Sequence, residues 1–93
     1  MRSFDFEIFG KVQGVFFRKY TKETADQLGI TGWCMNTAHG TVAGHTEGAQ
    51  GAVEAFKTWL RTKGSPHSRI DKAEFTNEKD IGTAASRVFI IKR

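Results

Sequence analysis

Polar and apolar residues alternate along residues 2–9, with Phe4, Phe6 and Ile8 on one side and Ser3, Asp5 and Glu7 on the other. A period of two is that of a strand with one face in a core. Residues 10–16, with Gly10 and Gly14, interrupt it as a loop. From Phe17 to Leu28 the period lengthens to that of a helix, with Phe17, Tyr20, Thr24 and Leu28 on one stripe and Gly29 as its stop. Residues 31–36 read as a second strand. Thr37-Ala38-His39-Gly40 is a turn that needs a positive φ at Gly40, and residues 41–46 close a hairpin as the third strand. Gly44, in mid-strand, marks a bulge or a close backbone approach. Residues 48–51 break the sheet. Residues 52–63 form a second amphipathic helix that buries Val53, Phe56, Trp59 and Leu60 and ends at Gly64-Ser65-Pro66. Residues 69–76 give a fourth strand and residues 79–86 a polar loop. Residues 88–91 are apolar on both faces, so a central or covered final strand is expected.

The order β-α-β-β-α-β, with a short extra strand, predicts an α+β, ferredoxin-like sandwich. Its sheet should be largely antiparallel, with two helices on one face. The 93 residues argue a single domain, 1–93. A chain of this size buries roughly 60–65% of its unfolded surface, enough for one core. The longest apolar runs, such as Val88-Phe89-Ile90-Ile91, fall far short of the ~20 residues of a membrane span. Charges at Arg2 and Asp5 stand where a secretory signal needs an apolar stretch. Cys34, the single cysteine, has no partner for an internal disulfide, which fits a reducing, cytoplasmic setting. The net charge of +4 favours anionic partners, either phosphate-bearing metabolites or nucleic acid.

Charge sharpens the picture at one place. Between Ile8 and Lys22 there is no Asp or Glu, while Lys11, Arg18, Lys19 and Lys22 are all cationic. Gly10 and Gly14 let the backbone curl so that successive N–H groups face one point. The helix that follows adds its unpaired N–H groups and positive dipole end. Arg18 supplies a planar fork suited to phosphate or carboxylate. This is a phosphate cradle, or else a hairpin-like loop with solvated charges. Neither the nucleotide P-loop pattern nor Gly-x-Gly-x-x-Gly is present.

Other candidates carry less. His39, His45 and His67 follow no metal-ligand spacing, there is no acidic cluster to hold magnesium, and each histidine reads as a surface position. No metal or cofactor is expected. Cys34, inside an apolar strand beside Trp33, reads as a buried inert thiol. Asn36 ends the second strand and is able to hold a water, or simply to form the turn beside Thr37.

Residues 10–18, Gly-Lys-Val-Gln-Gly-Val-Phe-Phe-Arg, resemble the Gly-x-Val-Gln-Gly-Val-x-Phe-Arg signature of the small acylphosphatases. Gly32-Trp33-Cys34-Met35-Asn36-Thr37, followed by Gly40-Thr41-Val42, resembles their second signature. The likeness extends through Trp59-Leu60, Gly64-Ser65-Pro66, Arg69-Ile70-Asp71-Lys72 and Asn77-Glu78-Lys79, nearly the whole chain, in the animal-type form. Position 34 departs from it, since an aliphatic residue such as valine is common there. The resemblance implies hydrolysis of small-molecule acyl phosphates to carboxylate and inorganic phosphate, with phosphate as product and inhibitor. It implies that Arg18 binds the phosphoryl oxygens with the backbone amides of Gln13, Gly14, Val15, Phe16, Phe17 and Arg18, and that Asn36 orients the attacking water. It also implies a monomer that needs no metal. The rival from another class is an RNA-binding ferredoxin-like sheet stacking bases on Phe4, Phe6 and Phe89. The aromatic-rich Lys/Arg-Gly-Phe/Tyr-Gly/Ala-Phe-Val-x-Phe/Tyr pattern of that class is absent. An anion sensor that binds without turnover would carry the same Arg18 and Asn36.

Overall fold

The structure is a computed structural model and describes residues 1–92. Its elements are β1 (Arg2–Lys11), α1 (Phe17–Leu28), β2 (Thr31–Asn36), β3 (Val42–Gly48), α2 (Gln50–Thr62), β4 (Arg69–Asp80) and β5 (Phe89–Ile91). The five strands form one sheet in the order β4-β1-β3-β2-β5. All pairings are antiparallel except β2 with β5. Helix α1 lies over β2 and β5, α2 lies over β1, β3 and β4, and the helices touch each other. This is the expected α+β, ferredoxin-like arrangement.

Alternation along β1 sends Phe4, Phe6 and Ile8 beneath the helices, where all three are buried. There Phe6 meets Phe56 of α2 edge-on, with ring centroids 6.2 Å apart, and Phe56 meets Phe89 of β5 at 5.9 Å. Edge-to-face rings gain beyond their buried area because the positive edge of one faces the negative face of the other. Gly44 lies opposite Phe6 in the register. A side chain there would collide with the Phe6 ring and the Trp33 carbonyl, so the mid-strand glycine marks a close approach.

The structure corrects several sequence-based expectations. Strand β5 is not central, and only the face beneath α1 is covered. Among the described residues it pairs only with β2, at the sheet edge, where Val88 and Ile90 are exposed, Phe89 is buried in the core and Ile91 packs against it half-buried. The segment after β4 has to cross from one edge of the sheet to the other, and a short strand at its end alternates like any half-buried one. The buried stripe of α1 is Phe17, Thr21 and Ala25, one residue round from the expected Tyr20 and Thr24. The helix turns its small residues toward the sheet, and the Thr21 hydroxyl donates to the Phe17 carbonyl at 2.8 Å, so burying it leaves no polar group unpaired. Strand β4 runs on to Asp80 rather than stopping at residue 76, because β1 offers backbone partners as far as Arg2. Its charged outer half is what an exposed edge strand tolerates. Phe4, Phe6 and Phe89 are all buried beneath the helices and present no surface on which bases could stack.

Candidate active site

The site forms where β1 runs out. Pairing of β1 with β4 shifts between Phe9 and Gly10, and Gly10 takes φ 131°. A Cβ there would collide with the Arg69 carbonyl, so only glycine admits this bulge. The bulge turns the chain off the sheet into a loop anchored by two buried valines, Val12 and Val15. Between and after them Gly14 (φ 74°) and Phe16 (φ 61°, ψ 22°) both adopt the left-handed conformation. That is ordinary for glycine and rare for a phenylalanine.

Phe16 is the N-cap of α1. No side chain caps this terminus, and its first turn holds no acidic residue. The first backbone bond into the helix runs from the Tyr20 N–H to the Phe16 carbonyl at 3.1 Å, which leaves the earlier N–H groups without an intrahelical acceptor. An open cavity of about 280 Å³ lies at this end of the helix, lined by Val12, Gly14, Phe16, Phe17, Arg18, Lys19 and Ile91. Its charged residues are both cationic. Arg18 makes no ion pair with a carboxylate among the described residues; the pairing on α1 is Lys22 with Asp26 at 3.0 Å.

Gln13 turns the other way. Its Nε2 donates to the carbonyls of Thr37 and Thr41, both at 2.9 Å. The turn is braced in its own right: the Thr37 and Thr41 hydroxyls lie 2.6 Å apart, and Thr41 Oγ1 donates to Glu7 Oε2 at 2.6 Å. The Gln13 side chain is thus committed to protein, and only its backbone amide is left for an anion. Its effect is to clamp the loop against the turn that begins one residue after Asn36.

Asn36 ends β2 opposite Val42. By alternation it shares a face with Cys34. Its Oδ1 is buried and takes no hydrogen bond from the described residues. It does not line the cavity of Arg18, and it immediately precedes the turn that Gln13 clamps. Cys34 is fully buried, and burial pushes its thiol up to about 12, with the nearby charges of Arg18 and Lys22 acting weakly in the opposite direction. A thiol so held stays protonated, and the expected inert role agrees with that.

Of the residues picked from the sequence, Gly14, Phe16, Phe17 and Arg18 meet at one cavity, Val15 is a buried anchor of the loop, and Gln13 ties the loop to the turn that follows Asn36. Ile91 joins the cavity without a sequence signal, because only the pairing of β5 with β2 brings it there. His45 also differs from the expected plain surface position. Its Nδ1 lies 2.6 Å from Asp5 and its Nε2 3.0 Å from Glu47, and Glu47 also accepts from the Ala85 N–H at 2.7 Å. No group of three or more His, Cys, Asp or Glu residues is arranged to hold a metal ion among the described residues. Among the described residues no helix is long and apolar enough to cross a membrane.

Known proteins resemble this chain in sequence and fold. The acylphosphatase family model matches residues 4–91. Acylphosphatase-1 of Gallus gallus is 50% identical over 93 residues, covering 100% of this chain and 94% of the relative. Acylphosphatase-2 of Homo sapiens is 46% identical over 92 residues, covering 99% and 93%. The crystal structure of acylphosphatase from Bacillus subtilis superimposes with a TM-score of 0.91 over the whole of both chains at 29% identity. With both signatures folded into one loop-and-turn assembly, and with relatives this close over its full length, the chain belongs to the acylphosphatase family.

Proposed function

We propose that this protein hydrolyses the carboxyl–phosphate bond of acyl phosphates. The observation that carries the proposal is the cavity at the uncapped, acid-free N-terminus of α1, lined by Arg18 and Lys19 and, among the described residues, by no carboxylate. The backbone amides of residues 13–18 and the Arg18 guanidinium take the phosphoryl oxygens. Asn36, whose Oδ1 has no protein partner, accepts a hydrogen bond from the attacking water and aims its lone pair.

In the reaction a water oxygen bonds to phosphorus as the bond from phosphorus to the acyl oxygen breaks. The electron pair leaves with the carboxylate, which needs no proton, and the proton of the water passes to a phosphate oxygen. Charge in the loose transition state is spread over the equatorial oxygens, so positioning and fixed donors supply most of the catalysis. On this reading the chain works as a monomer and a single domain, in the cytoplasm and without a metal, and inorganic phosphate competes with substrate.

Hydrolysis of benzoyl phosphate in the presence of EDTA tests the proposal. Turnover is expected from the parent protein and loss of both turnover and phosphate inhibition from Arg18→Ala. Arg18→Lys should recover little, since an ammonium cannot reproduce the two-pronged grip. A folded parent that binds phosphate without turnover would leave an anion-binding domain.

A further inference from the structure

We infer that His45 and Glu47 are a proton-driven latch on the segment that joins β4 to β5. With His45 charged, Glu47 holds the segment against the sheet; with His45 neutral, the Glu47 carboxylate turns to the hydroxyls of Ser3 and Thr31 and lets the segment go. The latch does not depend on the hydrolase reading. Residues 81–88 cross from one edge of the sheet to the other and are pinned at both ends by backbone. The Ile81 N–H donates to the Met1 carbonyl at 2.9 Å, and the Val88 carbonyl accepts from the Gly32 N–H at 3.0 Å. Between these points, among the described residues, the hydrogen bonds that tie the segment to the sheet end on one atom. Glu47 Oε1 accepts from the Ala85 N–H at 2.7 Å and from the Ser86 N–H at 3.4 Å. The other carboxylate oxygen, Oε2, lies 3.0 Å from His45 Nε2, and His45 Nδ1 lies 2.6 Å from Asp5.

Two ring nitrogens that both face carboxylates need a proton each, which is the imidazolium form. A neutral ring keeps one N–H. The shorter bond, to Asp5, retains it, the Nε2 proton leaves to water, and a lone pair then faces Glu47. Glu47 is buried, and a buried carboxylate that loses its cation is driven toward other donors. Ser3 of β1 and Thr31 of β2 lie directly opposite Glu47 in the register, and both hydroxyls are buried without a partner among the described residues. Opposed Cβ atoms are roughly 4.5–5.5 Å apart, within reach of a glutamate side chain. The carboxylate thus has two sets of partners, and the charge of His45 chooses between them. Around His45, β1 contributes Asp5, which also accepts from Asn77 of β4 at 2.8 Å, and β4 contributes Lys79, whose charge acts on Asp5. Strand β2 carries no charged side chain; Lys92, just after β5, lies over the Trp33 ring opposite His45, and the segment itself carries Arg87.

Amide hydrogen exchange of the full chain, followed by NMR and corrected for the intrinsic effect of pH, tests the latch. Between about pH 5.5 and 8.5, protection of the Ala85 and Ser86 amides should fall roughly tenfold in the parent, the worth of one hydrogen bond to a charged group. The Ile81 and Lys92 amides, bonded to the Met1 and Cys34 carbonyls, should keep theirs. In His45→Gln, which has no such proton to lose, protection at Ala85 and Ser86 should stay within about twofold over the same range. Ser3→Ala combined with Thr31→Val removes the alternative partners and should reduce the fall to roughly threefold or less. Constant protection of the two amides in the parent, or loss of protection at Ile81 and Lys92 in step with them, would overturn the latch without recourse to any variant. An equal fall in His45→Gln would overturn the part given to His45, and an unchanged fall in the double variant the part given to the hydroxyls.

Discussion

Replacing Gln13 by alanine tests whether the cradle and Asn36 work as one assembly. The change removes two hydrogen bonds, from Nε2 to the Thr37 and Thr41 carbonyls, each 2.9 Å long. At about 1 kcal/mol net apiece, the loss is about 2 kcal/mol. The Thr41 carbonyl still accepts from the Thr37 N–H at 2.9 Å, so the turn keeps its own closure and the cost should not exceed this. For a chain of this size that corresponds to a fall in Tm of roughly 8–16 °C, read by circular dichroism. The kinetic effect is separable. With the clamp gone, the loop and Asn36 drift relative to each other, and misplacement on the ångström scale costs up to about 10²-fold in rate. We expect kcat to fall about tenfold at a temperature where the variant is fully folded. A double-mutant cycle isolates the route: Gln13→Ala should cost kcat in the parent and little more in an Asn36→Ala background. A Gln13→Ala protein with unchanged Tm and kcat, or equal losses of kcat in both backgrounds, would refute a coupling through this clamp.

Asn36→Ala itself should lower kcat by roughly 10²-fold while leaving the inhibition constant of inorganic phosphate within about twofold, because in the proposed mechanism the amide serves the attack rather than the binding. Steady-state kinetics with phosphate as competitor measures both. For pH, burial alone would lower the His45 pKa, but its bonds to Asp5 and Glu47 outweigh that and raise it above the ordinary 6.5. Asp5 and Glu47 go the other way: burial opposes, yet the bonds from Asn77 and His45 to Asp5, and from His45 and the Ala85 and Ser86 amides to Glu47, pull them below their ordinary 3.8 and 4.5. The His45 contribution is therefore complete below pH 6.5 and fades as pH rises through the raised value. The carboxylate contributions are complete above about pH 4.5 and fade as pH falls through the lowered values. The stability advantage of the parent over His45→Gln, measured by urea midpoint, should peak between these limits and shrink on both sides; a pH-independent difference would contradict the cluster. Cys34, fully buried with its thiol pushed to about 12, should resist thiol reagents in the native protein and react at once in urea, as mass spectrometry would show.

Local chemistry made much of this protein legible before its structure. The alternation of Phe4, Phe6 and Ile8 named a strand and its inner face, and the acid-free, cationic loop from Gly10 to Arg18 pointed to a candidate anion site. Both depend on residues close together in the chain. The face that α1 turns to the sheet depends instead on β2 and β5, and the helix pattern alone favoured Tyr20 and Thr24 over Thr21 and Ala25. The edge position of β5 and the arrival of Ile91 at the cavity depend on a partner strand distant in sequence. His45 looked like an isolated surface histidine because its neighbours Asp5 and Glu47 become visible only once β1 and β3 are set in register. The role of Asn36 came from the family signature, since an asparagine at a strand end is equally a turn former. Its buried, unpartnered oxygen is the feature that a sequence does not display.

The sheet order carries a consequence for how the chain reaches this state. In β4-β1-β3-β2-β5, β1 pairs with β4 and β2 with β5, so each outer strand comes from the last third of the chain while its partner comes from the first half. The loops that these pairings close are long, and their entropy is lost before the contacts formed can offset it. Folding is therefore expected on the millisecond-to-second scale, well behind a helical bundle of equal length and stability. The hairpin of β2 and β3, joined by the short turn at Thr37–Thr41 and closed by its own hydrogen bonds, is the piece best able to form early, with the edges added afterwards.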